Sequence, residues 1–243
     1  MGNLIKSEWF KLRKSLGFKI LLAGSVISTF TILILLAMGS AAPGSQGMAI
    51  GFSYVLHHAF VGFLFAAVFW CNEFSNRTFA LSLLCGHSRS KVFFAKVVVF
   101  LFGLLLLFGL YVGLTTAYAT VSNGFGLEWS VKTGKAILIL LGCGLSGWLA
   151  LGAVMVLVAA VLRKTILTFG AGMALTYALL WLESAFRDNP LPFVKYTYSY
   201  QMNQLWAFWE TEIAPGRFLA VTLSTSVAAL AAAAFAFQRA ELK

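Results

Sequence analysis

Charge is scarce in this chain, and acidic charge scarcest of all. Only 11% of its 243 residues are Asp, Glu, Lys or Arg, and eight are acidic; ordinary soluble domains carry roughly 25% charged residues. That deficit, beside 60% hydrophobic residues and 23 Phe, excludes a water-soluble globule. Proline occurs four times, so the apolar stretches run without helix breakers. The three cysteines, Cys71, Cys85 and Cys143, lie in or beside apolar segments without metal-ligand spacing. They fit reduced thiols used as small hydrophobes and suggest no disulfide framework. No GxxxxGK[ST] loop is present to cradle a nucleotide phosphate, and neither HExxH nor GxSxG appears. An intramembrane enzyme would therefore lack an assembled acid, base or nucleophile.

What is present is apolar length. Six runs, Ile20–Gly39, Ala49–Cys71, Val92–Thr120, Ala136–Leu162, Thr165–Leu182 and Phe218–Phe237, each reach or approach the roughly 20 residues that cross hydrocarbon. The third and fourth are long enough to tilt or extend beyond it. The expected fold is all-α, a single polytopic membrane domain over residues 1–243 with six transmembrane helices. Its firmly intramembrane parts contain no Asp or Glu, which disfavours a proton- or sodium-coupled carrier.

The net charge of +10 would suggest nucleic acid in a soluble protein; here its sidedness matters, and no nucleic-acid partner is expected. With the N-terminus inside, the inner segments hold 13 basic residues against Glu8, Glu73 and Glu241, while the outer ones balance five bases with five acids. The positive-inside rule then places both termini in the cytoplasm of a cell-membrane protein. Residues 3–16 read as an interfacial amphipathic helix, with Ile5, Trp9, Leu12 and Leu16 on one face and lysines toward anionic lipid. Ser40, Ala41 and Ala42 follow the first run as a signal-peptide cleavage site would, but that run exceeds the usual 7–15 residues of a signal core. Myristoylation at Gly2 fails because Lys6 stands where Ser or Thr is needed. Residues 183–216 form the longest outer segment. Its prolines, tyrosines and tryptophans suggest short re-entrant helices, with an ordinary loop carrying interfacial aromatics as the plainer reading.

The longest inner polar stretch is Asn72–Lys96. It reads as a short helix in which Glu73 and Arg77, four apart, pair along one turn. Phe79, Ala80, Leu83 and Leu84 form an apolar stripe, Gly86 is a left-handed C-cap, and Arg89, Lys91 and Lys96 lead into the next run. By composition alone it could be a basic loop that only orients the protein. Its order of features resembles the loop between the second and third helices of ABC-2-type permeases, the membrane subunits of ABC exporters. An acidic residue, a basic or small one, a short apolar helix, a Gly turn and an Arg before a Lys are matched by Glu73, Arg77, Phe79 to Leu84, Gly86, Arg89 and Lys96.

The resemblance implies a transport subunit, not itself an enzyme, partnered by two copies of an ABC ATP-binding subunit that carries the ATP and Mg, and by a second permease copy or a similar permease. No cofactor or metal is expected on this chain. It further implies that residues 72–91 are the ATPase-coupling loop, with Glu73, Arg77, Phe79, Leu83, Gly86 and Arg89 as coupling residues and Phe79 with Leu83 as an apolar plug. The cargo suggested is an amphipathic peptide, antibiotic or lipid-like molecule, as in the small permeases of antibiotic resistance and producer self-immunity. The rival is a non-transporting membrane scaffold or sensory accessory subunit.

Two further features remain. His57 and His58, adjacent in the second run, point about 100° apart. They make a poor metal pair and read as a polar patch on a substrate path or as partners for neighbouring helices. Gly109 and Gly113, Gly142, Gly144, Ser146, Gly147 and Gly152, and Gly170 with Ala174 allow close helix approach, within the subunit or across a dimer.

Overall fold

The computed structural model describes the chain except residues 40–41, 77, 187–190, 211–212 and 240–243, and the side chains of 31–39 and 80–82. Among the described residues all regular structure is helical. Helix α1 spans Gly2–Lys14, α2 Leu16–Gly39, α3 Gly44–Ser53 and α4 Val55–Ala66, the last running through a wide π turn, Ala67–Cys71, into α5, Asn72–Ser75. Then come α6 (Thr78–Leu84), α7 (Arg89–Asn123), α8 (Val131–Leu162), α9 (Thr165–Ala185), α10 (Tyr198–Gln204) and α11 (Pro215–Gln238).

Among the described residues five helical stretches are long and apolar enough to cross a membrane: Val55–Ser75, Arg89–Asn123, Val131–Leu162, Thr165–Ala185 and Pro215–Gln238. With 35 and 32 residues, α7 and α8 reach about 52 and 48 Å at 1.5 Å per residue, well beyond a core of about 30 Å. Local chemistry sets their ends. Ser130 caps α8 by accepting from Thr133 N at 3.1 Å, supplying one of the first-turn donors with an acceptor. Arg163 ends the helix in the left-handed region, φ 56°, and its Nε donates to Ala160 O. Pro215 opens the first turn of α11, where its missing N–H costs nothing.

Helix ends gather at two poles. At the basic pole Lys11 of α1 meets Glu73 of α5, Arg89 of α7 donates to Gln238 O at the end of α11 at 2.7 Å, and Arg163 reaches Ala236 O. At the other pole Gly44 N donates to Gly124 O, Trp209 Nε1 to Ser45 O, and Asn203 to Glu183 of α9. The core between them is aromatic. Phe65 stacks on Phe100 at 4.9 Å, and Phe52 lies 4.8 Å from Trp148.

The second apolar run, expected as one helix over Ala49–Cys71, is interrupted. Tyr54 takes φ −76°, ψ 68° between α3 and α4, the inverse γ-turn conformation. The cause is packing. Added Cβ atoms at Gly44, Gly47 and Gly51 would stand 2.0–2.8 Å from Thr120, Ala119 and Thr115 of α7, so α3 lies against α7 along a face of glycines. A single straight helix cannot hold that approach while α4 packs toward α9.

The small residues divide. Gly144 abuts Phe52, Gly147 abuts Met202, and Gly152 abuts Leu101 and Leu104, while Ser146 accepts from Thr222; all serve packing within the chain. Gly109, Gly113, Gly142 and Gly170 meet nothing within 4 Å. In the outer segment the short element is α10, flanked by single 3-10 turns at Val194–Tyr196 and Leu205–Ala207. Its Met202 is fully buried over α8. Pro190 lies outside the described residues.

Candidate coupling site

Helix α1 turns one face toward the bundle, and that face carries a charge. Glu8 and Leu12 are buried, Trp9 packs edge-on to Phe102 of α7 at 5.1 Å, and Leu12 reaches Gly103. Leu16 does not share this face: Ser15 turns the chain to ψ 119°, and Leu16 begins α2 exposed.

Glu8 enters a closed ring of four charges from three elements. Lys96 Nζ of α7 lies 3.2 Å from Glu8 Oε2 and 3.0 Å from Glu73 Oε1. Lys11 Nζ lies 2.5 Å from Glu8 Oε1 and 3.3 Å from Glu73 Oε1. Each acid thus meets both bases, and the set is neutral. Lys96 is fully buried, seven residues or about 10 Å into α7, with Phe69 completing its surroundings at 3.9 Å from the ring centroid. Burying a lysine without partners is prohibitive; two carboxylates and an aromatic face make it tolerable. Burial alone pushes the Glu8 carboxyl up, but Lys96 and Lys11 outweigh it and hold the group below its ordinary value. For Lys11 burial acts downward, and Glu8 with Glu73 outweighs it and holds the ammonium above its ordinary value.

The expected Glu73–Arg77 pair cannot be placed, because Arg77 lies outside the described residues; Glu73 is instead engaged by Lys11 and Lys96. The single helix expected over 72–86 is two, α5 and α6. Gly86 has φ 82° and donates its N–H to Leu83 O, the left-handed helix end that glycine permits. Arg89, the first residue of α7, faces α11, where a cation also suits the carbonyl end of a helix.

The apolar stripe of α6 needs correction. Phe79 is 1% exposed and points into its own bundle, with ring centroids 4.7 Å from Phe74, 5.1 Å from Phe237 and 6.2 Å from Trp70. Leu83 is half-buried against the same cluster. Neither forms an outward plug. Among the described side chains of α6 the apolar one that faces out is Leu84, 83% exposed, at the head of an exposed stretch that runs through the turn into the start of α7 at Lys91.

His57 and His58 follow the Tyr54 break and are buried. His57 stacks on Tyr111 at 4.1 Å, and His58 meets Phe108 and Trp148. Nε2 of His57 and both ring nitrogens of His58 make no hydrogen bond to a neighbouring helix among the described residues, and neither histidine lines the cavity between α7 and α8 or the one beside Trp206 and Trp209. No group of His, Cys, Asp and Glu suited to a metal occurs among the described residues.

Glu8 and Lys11 are the members sequence reasoning missed. The signal was there: Glu8 is three residues from Ile5 and four from Leu12, so it falls on the apolar face, where an unpaired acid would not be tolerated.

Residues 4–180 match the family described as ABC-2 family transporter protein. The chain belongs to that family. No curated protein and no solved structure matches it. The matched stretch takes in α1, the charge ring and the Asn72–Lys96 segment, so this permease is a multi-pass membrane protein of the ABC transporter class. Membership implies partnership with an ABC ATP-binding subunit.

Proposed function

We propose that the chain is the transmembrane subunit of an ATP-driven exporter, with α2 as a sixth span and both termini in the cytoplasm. The six-span reading is supported by the poles: α1 and the end of α11 meet at the basic one, so the number of crossings between them is even. Helix α2 supplies the crossing beyond the five, since Gly17 at its start abuts Val68 and the helix leads to α3 at the other pole.

The observation that carries the mechanism is the Glu8–Lys11–Glu73–Lys96 ring. It ties α1, α5 and α7 into one body beside the exposed Leu84–Lys91 turn. Two ATP-binding subunits, serving a pair of permeases, dock on that turn; Leu84 is the apolar contact and Lys91 a charged one. When they close on ATP, the push is carried through α6 to the aromatic cluster of Phe74, Phe79 and Phe237, and through α5 and the ring to α1 and α7. ATP and Mg belong to the partner, and this chain performs no chemistry of its own. The cargo class is an amphipathic peptide, antibiotic or lipid-like molecule, in keeping with a role in resistance or self-immunity.

The test is co-purification of the permease with a co-expressed ABC ATP-binding subunit, followed by ATPase measurement in nanodiscs. ATPase activity that depends on the permease and falls in Leu84→Ser supports the reading. A partner that neither binds nor changes activity sinks it in favour of a scaffold.

A further inference from the structure

The pole opposite the charge ring holds a cavity of about 420 Å³, within the size range of small-ligand sites. Its walls come from the α2–α3 connection, the start of α3, the α7–α8 connection and the end of the outer segment. The chain is held open there by specific contacts. Gly126 sits at φ 81°, and a Cβ on it would stand 2.3 Å from Pro43, so the α7–α8 connection can close against Pro43 only as glycine. Trp209 donates Nε1 to Ser45 O at 2.8 Å, and Gln46 donates Nε2 to Trp206 O at 3.0 Å.

Those two hydrogen bonds decide what the cavity offers. The indole N–H of Trp209 and one N–H of the Gln46 amide are engaged within the wall. What they leave in the lining is the Trp209 ring, the Ser45 hydroxyl, the oxygen and second N–H of the Gln46 amide, and the exposed carboxylate of Glu210. Trp206, about half exposed, adds a second indole. Among the described residues no lysine or arginine lines the space, and no ion pair engages Glu210. An anion would find no counter-charge here, and an acyl chain alone would leave the carboxylate idle. Indole faces beside one carboxylate attract an organic cation, through the ring quadrupole and through charge.

We infer that this cavity is a binding site for an organic ammonium group of choline size, lodged between Trp206 and Trp209 with its charge toward Glu210. It takes either the free cation or the same group on a lipid headgroup, and it does not depend on the direction or cargo of transport.

The experiment uses the full chain, labelled with 5-fluorotryptophan, in phosphatidylglycerol nanodiscs. The ¹⁹F resonances of Trp206 and Trp209 are assigned from Trp206→Phe and Trp209→Phe. Choline chloride is titrated against sodium chloride of equal ionic strength. Both resonances move saturably with choline; Glu210→Gln weakens the apparent affinity about tenfold, while Glu128→Gln, on the neighbouring connection but outside the lining, leaves it unchanged. In phosphatidylcholine nanodiscs, resonances already shifted and unresponsive to choline assign the site to the lipid headgroup, and a persisting titration assigns it to the free cation. No saturable shift in phosphatidylglycerol, or an equal response in Glu210→Gln, overturns the inference.

Discussion

Replacing Lys96 by Met tests the charge ring most directly. The substitution keeps a long unbranched stem in a buried position and removes only the cation. Glu8 and Glu73, whose side chains are 9% and 16% exposed, are then left to share Lys11. Removing one partner of a buried pair costs about 3–5 kcal/mol, because the other charge stays buried and uncompensated. Lys11 remains and is itself 37% exposed, so water and one cation still reach the ring, and the lower end, about 3 kcal/mol, is expected. For a chain of this length that amounts to roughly 6–12 °C in a thermal melt in detergent. The double variant Glu8→Gln, Lys96→Met leaves Glu73 paired with Lys11 and no surplus acid. It should be the more stable of the two by at least about 1 kcal/mol, a coupling of the size contacting residues show. Trypsin access to Arg13 and Lys14 should rise in the single variant as α1 loosens, and fall back in the double. A Lys96→Met melt within about 2 °C of the parent, or strictly additive effects, would refute the ring as an energetic unit.

Acid and base should each release α1. Glu8 is held below its ordinary value near 4.5, so its contribution is present above that value and lost as pH falls through the lower folded value. Lys11 is held above its ordinary 10.5, so its contribution is complete below that and lost as pH rises through the raised one. Protease protection of α1 should be flat between about pH 5 and 10 and decline outside; a midpoint near neutrality would contradict this. Phe79→Ala should destabilise the permease itself by about 3–5 kcal/mol, whereas Leu84→Ser should leave the melt within about 0.5 kcal/mol and weaken only capture of the ATP-binding subunit. Gly51→Val should disrupt the α3–α7 contact and lower the melt, because a Cβ there already stands 3.1 Å from the Val112 backbone. Gly109→Val and Gly113→Val, at positions where an added Cβ meets no described atom within 4 Å, should leave the monomer melt unchanged, and loss of a cross-linked dimer in either would mark that face as the one used for pairing.

The long helices were legible because length and apolar composition decide whether a segment crosses hydrocarbon, whatever it packs against. The break at Tyr54 was not, since neither proline nor glycine stands there and a hydropathy run is blind to ψ. Its cause lies ahead of it, in Gly44, Gly47 and Gly51, whose value appears only once Thr115, Ala119 and Thr120 are known to face them. The α6 stripe shows a second limit. Spacing establishes that Phe79 and Leu83 share a face, but not which body that face meets. The cluster of Trp70, Phe74, Phe93 and Phe237 near the basic pole captures Phe79, and beyond it Leu84 is left exposed.

Lys96 carries the same lesson for charge. Counted by sidedness, it is one more inner cation, worth its sign alone. Placed about 10 Å inside α7, it cannot be solvated, and its burial requires acids from elsewhere. The spans are poor in acid, so they come from α1 and from α5, the last turn of the Val55–Ser75 stretch. An interfacial helix held to the bundle by apolar contacts alone could slide along the membrane surface. One whose Glu8 pairs with a buried lysine cannot move without leaving that charge to Glu73 alone, and Glu73, sharing the same lysine, binds α5 to the same constraint. A displacement of α5 is therefore felt at α7 through Lys96, and at α1 through Lys11 directly and through the Lys96–Glu8 contact.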